Sequence, residues 1–571
     1  MKDLGKQSDV VVVGGVACGP KTAATLARRM PDLKITLFQK ERELSYGSCG
    51  MPYFASGDIP SFSELLMTSY GVPRDADFFR ATKGFEAITE AEVVAIDRLN
   101  KKVTVRIAND QVVEHGYDKL VLATGARPQA VPFEIPHSDR VRTFTRPDDA
   151  RAFRKMAETG QVGSAVIVGG GFIGCELAEA MVSLWGIETT LIELEPHVLP
   201  YVLDSEMAAL VEVEMRNQGV TLRLGNRVDR ISLSDTDSPV VHLGDEAIEA
   251  DFVFLCLGVS PNVTLAQDAG LKIGVTGGIV VNLQMQTSDP DIYAGGDCVQ
   301  STNRITDKPA LLPMGSLANR HGRVIAENIA GNETDFPGVL GAFLVKVFDL
   351  NVGAVGLSEG AARAADLNSG AVWGSFADRA EYYPEAEYFS TKITFVEDSL
   401  RLLGLQAVGK GDICRRIDVF SSFLARKADV DDLLDFEHGY APPYSEALDP
   451  LHHLAAVAIA RQKGIRFVSP DCGVLHTFVA EKGDLVTWLD VREAAEVEAA
   501  PWKSDGRVVN IPLGELRARI SELDPDHRII IVCRRGPRSY QAALMLQQAG
   551  FDDVHVVSGG TTMAMSAGSN G

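Results

Sequence analysis

Short unbroken apolar runs alternate with amphipathic stretches along the chain. That pattern predicts parallel strands covered on both faces, with helices between them. Residues 10–13 are four valines that stop at Gly14, and Ala23, Ala24, Leu26 and Ala27 then recur on a helical face. A second strand is predicted over 34–38. The order returns at 164–168, a strand that stops at Gly169, followed by a helix predicted over 175–185 and a strand ending at Glu193. Later come a predicted helix over 450–464, apolar strands over 486–489 and 529–532, and a helix over 540–549. No apolar run approaches the ~20 residues of a membrane span.

The chain has 571 residues, enough for about four domains at roughly 150 residues each. Apolar residues make up 46% and charged ones 23%, which excludes wholesale disorder and a collagen-like fibre. Asp and Glu number 77 against 55 Lys and Arg, a formal charge of −22. That acidity argues against nucleic acid or an anionic membrane as partner, and it makes any phosphate-bearing ligand depend on local cations. The first residues run into a strand without an apolar leader. The eight cysteines are Cys18, Cys49, Cys175, Cys256, Cys298, Cys414, Cys472 and Cys533, and no two stand in C-x-x-C spacing. A zinc ribbon, a dithiol pair and a disulfide scaffold are therefore not expected. No metal site is expected, and the expected setting is the reducing cytoplasm.

Two glycine-rich turns carry the first chemistry. Gly169, Gly171 and Gly174 complete the G-x-G-x-x-G pattern between a strand and a helix, and Glu193 ends the next strand. Gly169 permits a tight turn, Gly171 lets backbone approach a pyrophosphate, and Gly174 lets helix pack on strand. The helix N-terminus adds positive potential for phosphate. Glu193 would accept from an adenosine 2′-hydroxyl and repel a 2′-phosphate, which favours NADH over NADPH. The earlier turn has Gly14 and Gly19 but Val16 in the middle place, and Gln39 where an acid is usual. Gln39 still offers a hydrogen bond to a hydroxyl.

Two further strings link these units. One is KLVLATGARP, with Ala123, Thr124 and Gly125 at a strand end; the other is TSDPDIYAGGDC, with Asp297 after a glycine pair. In this order the four motifs resemble the two-dinucleotide flavoprotein disulfide reductase family over roughly residues 8–455. The resemblance implies an FAD domain interrupted by an NAD(P)H domain. It also implies that Thr124 and Asp297 contact the flavin, and that Lys40 and Gly258 join the cofactor-binding set.

Dithiol members of that family carry a C-x4-C pair. Here LSYGSCGMPYF offers Cys49 alone, with Leu44 and Phe54 where a second thiol would stand. A lone thiol must cycle through a mixed disulfide, a persulfide or a sulfenic acid. A short helix is expected to start at Cys49 and to favour thiolate. The string resembles the single-cysteine subgroup: coenzyme A disulfide reductases, NADH oxidases and NADH peroxidases. AEYYPEAEY and HGYAPPYSEALDP are similar to the dimerisation domain of the coenzyme A disulfide and persulfide reductases. The likeness implies a homodimer in which Tyr382 and Tyr440 reach the partner's redox cysteine. A phenol there can give a hydrogen bond or a proton to leaving sulfur. It also implies coenzyme A contacts at Lys21, Thr25, Arg28, Ser45, Ser48 and Lys83.

From about Cys472 a new α/β pattern begins. One strand ends in LDVRE, with Asp490 and Arg492, and another ends in Cys533, followed by a six-residue loop to Ser539. Backbone N–H groups and Arg534, Arg535 and Arg538 would stabilise a thiolate or persulfide there. The spacing C-x5-R also fits a phosphatase loop, but LDVRE and the terminal VVSGG resemble the rhodanese domain over 468–571.

The expected fold is α/β, with two Rossmann-like dinucleotide-binding domains, an α+β dimerisation domain and a C-terminal α/β rhodanese domain. The expected boundaries are 8–148 and 280–340 for FAD, 149–279 for NAD, 341–460 for dimerisation and 468–571 for rhodanese. The fusion resembles the coenzyme A disulfide reductase–rhodanese and persulfide reductase proteins. That implies FAD-dependent reduction of a coenzyme A persulfide, polysulfide or disulfide by NAD(P)H through Cys49, with Cys533 handling sulfane sulfur. An NADH oxidase or peroxidase, or a redox-sensing flavoprotein, remains open on the sequence.

Overall fold

A computed structural model describes residues 5–107, 110–502, 504 and 506–567. The chain divides into two compact units. The first comprises Met1–Gly169, Ala180–Thr189 and Val228–Val339, and the second Gly170–Glu179, Thr190–Arg227 and Leu340–Gly571. Among the described residues no helix is long and apolar enough to cross a membrane.

In the first unit the valine run becomes strand Gln7–Val13, central in a parallel sheet. It lies between Ile35–Phe38 and Val112–Leu122, with Glu86–Ile88 and Ile292–Ala294 pairing further out. Val10, Val11 and Val12 are fully buried, as continuous apolar runs covered on both faces require. Helix Cys18–Arg29 buries Ala23, Leu26 and Ala27 and packs on helix Gly315–Ile329. Strands Val141–Thr143, Phe252–Leu255 and Ser164–Val168 form a second parallel group.

Strand Glu188–Ile192 enters the second unit at Thr190, from where it pairs in parallel with Thr221–Arg223. The helix expected over 175–185 begins earlier, at Phe172, because Cys175 N–H already bonds the Gly171 carbonyl at 3.0 Å. The α-helix ends at Glu179, and the following stretch Ala180–Trp185, which belongs to the first unit, is π-helical. An antiparallel sheet follows in the order Phe343–Val347, Leu350–Gly356, Leu402–Gly409, Tyr388–Val396, Ser369–Ala377. Helices Cys414–Ala425 and Pro450–Gln462 pack on it.

The C-terminal sheet is wholly parallel, ordered Arg466–Val468, Val554–Val557, Arg528–Val532, Val486–Asp490, Arg507–Asn510. Successive residues feed opposite cores: Leu489, Ile529 and Ile531 on one face, Trp488, Ile530 and Val532 on the other. The helix expected over 540–549 begins at Pro537, since proline's fixed φ suits a first helical turn. This draws Arg538 and Ser539 out of the expected loop. The chain beyond Val554–Val557 forms helix Gly560–Ala567; positions 568–571 lie outside the described residues.

Candidate functional site

The two glycine turns are built alike. Gly14 and Gly169 have φ of +109° and +112°, and a Cβ on either would meet a carbonyl oxygen, Ala123 at 2.1 Å and Cys256 at 2.3 Å. Only glycine permits that approach. In the first turn Gly15 N–H donates to Gln39 Oε1 at 2.8 Å. In the second, Gly170 N–H donates to Glu193 Oε2 at 2.6 Å, and Glu195 N–H to Oε1 at 2.9 Å. The residue ending the second strand thus braces each turn, an amide in one and a carboxylate in the other. Backbone at Gly125, Gly171 and Gly258 faces open space, with nothing within 4 Å of an added Cβ. Gly171 directly precedes the helix that starts at Phe172.

Around the first turn, Thr124 Oγ1 donates to the Asn262 carbonyl at 2.6 Å. Burial pushes the Asp297 carboxyl above its ordinary range, although the Met314 N–H partly offsets this. Lys40 is exposed and ion-paired with Glu92 at 2.8 Å.

Cys49 is exposed. It sits in a 3-10 turn, Ser48–Gly50, and the α-helix Met51–Ser56 begins two residues later than expected. The Gly50 N–H is spent on Gly47 O, and Pro52 favours a start beyond it. Arg154 and Trp185 donate to the Phe54 and Ala55 carbonyls at 2.8 and 2.9 Å and hold the helix end. A feature not expected from sequence is Gly315, which opens the fifteen-residue helix Gly315–Ile329. A Cβ there would lie 3.9 Å from Cys49 Sγ. The N-terminal, positive end of that longer helix lies beside the sulfur.

The expected substrate residues are spread unevenly. Thr25 is buried and accepts from exposed Arg28 at 3.4 Å. Lys21 packs its stem beside Gly322. Ser48 is exposed, Ser45 is half-buried with φ +47°, and Lys83 Nζ lies 5.2 Å from the Phe78 ring. Exposed Arg320 and Arg323, one turn apart on helix Gly315–Ile329, add cations that the sequence pattern did not single out.

In the second unit Tyr382 and Tyr440 are exposed, 77% and 52%. They are hydrogen-bonded to each other, and that bond raises the Tyr382 pKa.

Cys533 ends strand Arg528–Val532 and is 1% exposed. The expected ring of N–H donors reduces, among the described residues, to Gly536 N–H at 3.0 Å. The tail holds the loop from behind: Thr561 N–H bonds Cys533 O at 2.8 Å, and Thr562 bonds Arg534 O. Below it, Asp490 and Arg492 form a buried pair at 2.7 Å. The expected arginine collar is also altered. Arg538 is held by Glu496 at 2.5 Å and Arg535 by Glu381, which leaves Arg534 exposed. Arg538 lowers the Glu496 pKa to about 2.

Residues 8–315 match the pyridine nucleotide-disulphide oxidoreductase family, 343–452 its dimerisation domain, and 477–563 a rhodanese-like domain. An NADH oxidase of Methanocaldococcus jannaschii is 34% identical, over 79% of this chain and 98% of its own length. A CoA-dependent NAD(P)H sulfur oxidoreductase of Pyrococcus abyssi is 34% identical, over 80% of this chain and 99% of its own. A solved NAD-dependent persulfide reductase from A. fulgidus matches with TM-score 0.91 and 39% identity, covering 97% of this chain and 99% of that one.

Proposed function

Because the chain belongs to the pyridine nucleotide-disulphide oxidoreductase family, we propose that it is an FAD-dependent reductase. It uses NAD(P)H, NADH favoured, to reduce a coenzyme A persulfide, polysulfide or disulfide. The observation that carries this reading is one chain holding an exposed lone thiol, Cys49, and a rhodanese-type sulfur site at Cys533. The likeness to a persulfide reductase over 97% of the chain supports the pairing.

In this reading the flavin domain spans 8–148 and 280–340, the nucleotide domain 149–279, the dimerisation domain 341–460 and the rhodanese domain 468–571. Gly14, Gly19, Gln39, Lys40, Ala123, Thr124, Gly125 and Asp297 hold FAD. Gly169, Gly171, Gly174, Glu193 and Gly258 hold NADH. When bound, the two cofactors supply an electron pair to sulfur. Cys49 thiolate attacks the sulfane sulfur of a persulfide; the S–S bond breaks, the thiol leaves and Cys49 keeps the sulfur as a persulfide. Two electrons and protons then release hydrogen sulfide and restore the thiolate. Tyr382 and Tyr440 of a second copy give a proton to the leaving sulfur, so the working form is a homodimer. Lys21, Arg28 and, on helix Gly315–Ile329, Arg320 and Arg323 offset the −22 charge for a phosphate-bearing substrate. Cys533 receives sulfane sulfur and passes it inward, or delivers it from polysulfide to a thiol carrier.

The M. jannaschii relative favours a second reading, an NADH oxidase whose Cys49 cycles through sulfenic acid. NADH consumption measured anaerobically with coenzyme A persulfide, and separately with oxygen or peroxide, decides between them. Faster turnover with the persulfide supports the reductase; faster turnover with oxygen or peroxide supports the oxidase.

A further inference from the structure

Three arginines stand within five residues of Cys533, and carboxylates already hold two of them. Arg538 donates to both oxygens of Glu496, at 2.5 and 2.8 Å. Arg535 is paired with Glu381, lies 5.0 Å from the centre of the Tyr388 ring, and is near Glu446. Glu381 does not belong to the sulfur loop's own sheet. It lies 154 residues earlier, between strands Ser369–Ala377 and Tyr388–Val396.

Of these three cations, Arg535 and Arg538 are offset by Glu381, Glu446 and Glu496, while Arg534 is exposed. A small inorganic dianion such as thiosulfate brings its whole charge to the sulfur and finds little uncompensated positive potential there. An organic persulfide brings at most one charge to the reacting end. Any phosphates it carries stay at the far end of its arm, away from the reacting sulfur.

We propose that Glu381 sets the substrate class of the Cys533 site, holding Arg535 so that organic persulfides are accepted and small inorganic dianions are disfavoured. This rests on the reading of Cys533 as a sulfur acceptor. Cys533 thiolate attacks the outer sulfur of R–S–SH. That S–S bond breaks, R–S⁻ leaves with the bonding pair, and a new S–S bond makes Cys533–S–SH. One sulfur is exchanged between thiols, so no outside oxidant or reductant is needed.

Glu381→Gln keeps the side-chain length and removes the charge. Sulfur loading of full-length holoenzyme carrying Cys49→Ser in parent and variants alike, which leaves Cys533 to take the sulfur, is measured with thiosulfate, by sulfite release, and with glutathione persulfide. The expected result is a kcat/KM for thiosulfate raised about three- to tenfold through a lower KM, with persulfide changed by less than about twofold. Glu381→Asp, which keeps the charge, should behave as the parent does. Unchanged thiosulfate use, or a parallel loss with both donors, overturns the proposal. A Cys533→Ser control that loads as fast as the parent overturns the underlying reading of Cys533 instead, and so separates the two failures.

Discussion

Gly170 gives its backbone N–H to Glu193 at 2.6 Å, across the turn expected to carry a nucleotide pyrophosphate. With its other oxygen bonded to Glu195 N–H at 2.9 Å, the carboxylate is held at the strand end. A 2′-phosphate brought there meets a fixed like charge, which costs several kcal/mol. NADH should therefore be preferred to NADPH. Glu193→Gln keeps the brace and removes the charge, and should narrow the ratio of the two kcat/KM values at least about tenfold. An unchanged ratio would move the choice of nucleotide elsewhere.

Tyr382 should act as a proton donor over the whole neutral range. Its bond to Tyr440 raises its pKa above the ordinary value of about 10, so the phenol keeps its proton as pH rises toward that point. Tyr382→Phe should slow turnover by about a hundredfold or more while leaving NADH binding intact. The parent should show no falling limb from this phenol below about pH 10. Stopped-flow rates across pH check both points.

Cys533→Ser should spare reduction of small persulfides yet slow the use of polysulfide. Steady-state rates with both donors test the division of labour. Equal loss on the two would end the two-site account.

A buried ionic hub makes a separate stability prediction. Lys392, 1% exposed, is paired with Asp204, Glu206 and Glu359 at 2.8, 2.5 and 2.9 Å. Burial would raise the Asp204 pKa, but Lys392 and two backbone N–H groups bring it down to about 2. A depressed carboxylate adds stability that is complete above its unfolded pKa, about 4, and fades as pH falls toward 2. That contribution is about 2 kcal/mol at neutral pH. Lys392→Met strands three acids and should cost about 3–5 kcal/mol. Thermal melts of parent and variant should show a large gap at pH 7 that narrows toward pH 3.

Much of the fold was legible because its signals are local. Valine runs ending in glycine gave the strand ends at Gly14 and Gly169, and the strings around Cys49 and Cys533 stood out by their resemblance to known families. Relations between distant residues were not legible. Nothing near Cys49 announces that Gly315 opens a helix beside it, and nothing near Arg535 announces Glu381. Charge counted along the loop gave three arginines, whereas in space, among the described residues, carboxylates hold Arg535 and Arg538. The helix starts at Phe172 and Pro537 were missed because apolar periodicity begins later than the backbone bonds do.

The central claim is that Cys49 alone carries the redox chemistry. Its most direct test is anaerobic NADH oxidation by Cys49→Ser with coenzyme A persulfide as substrate. The account predicts turnover at background, with FAD content and flavin reduction by NADH unchanged. Persulfide-dependent turnover at the parent rate would contradict it.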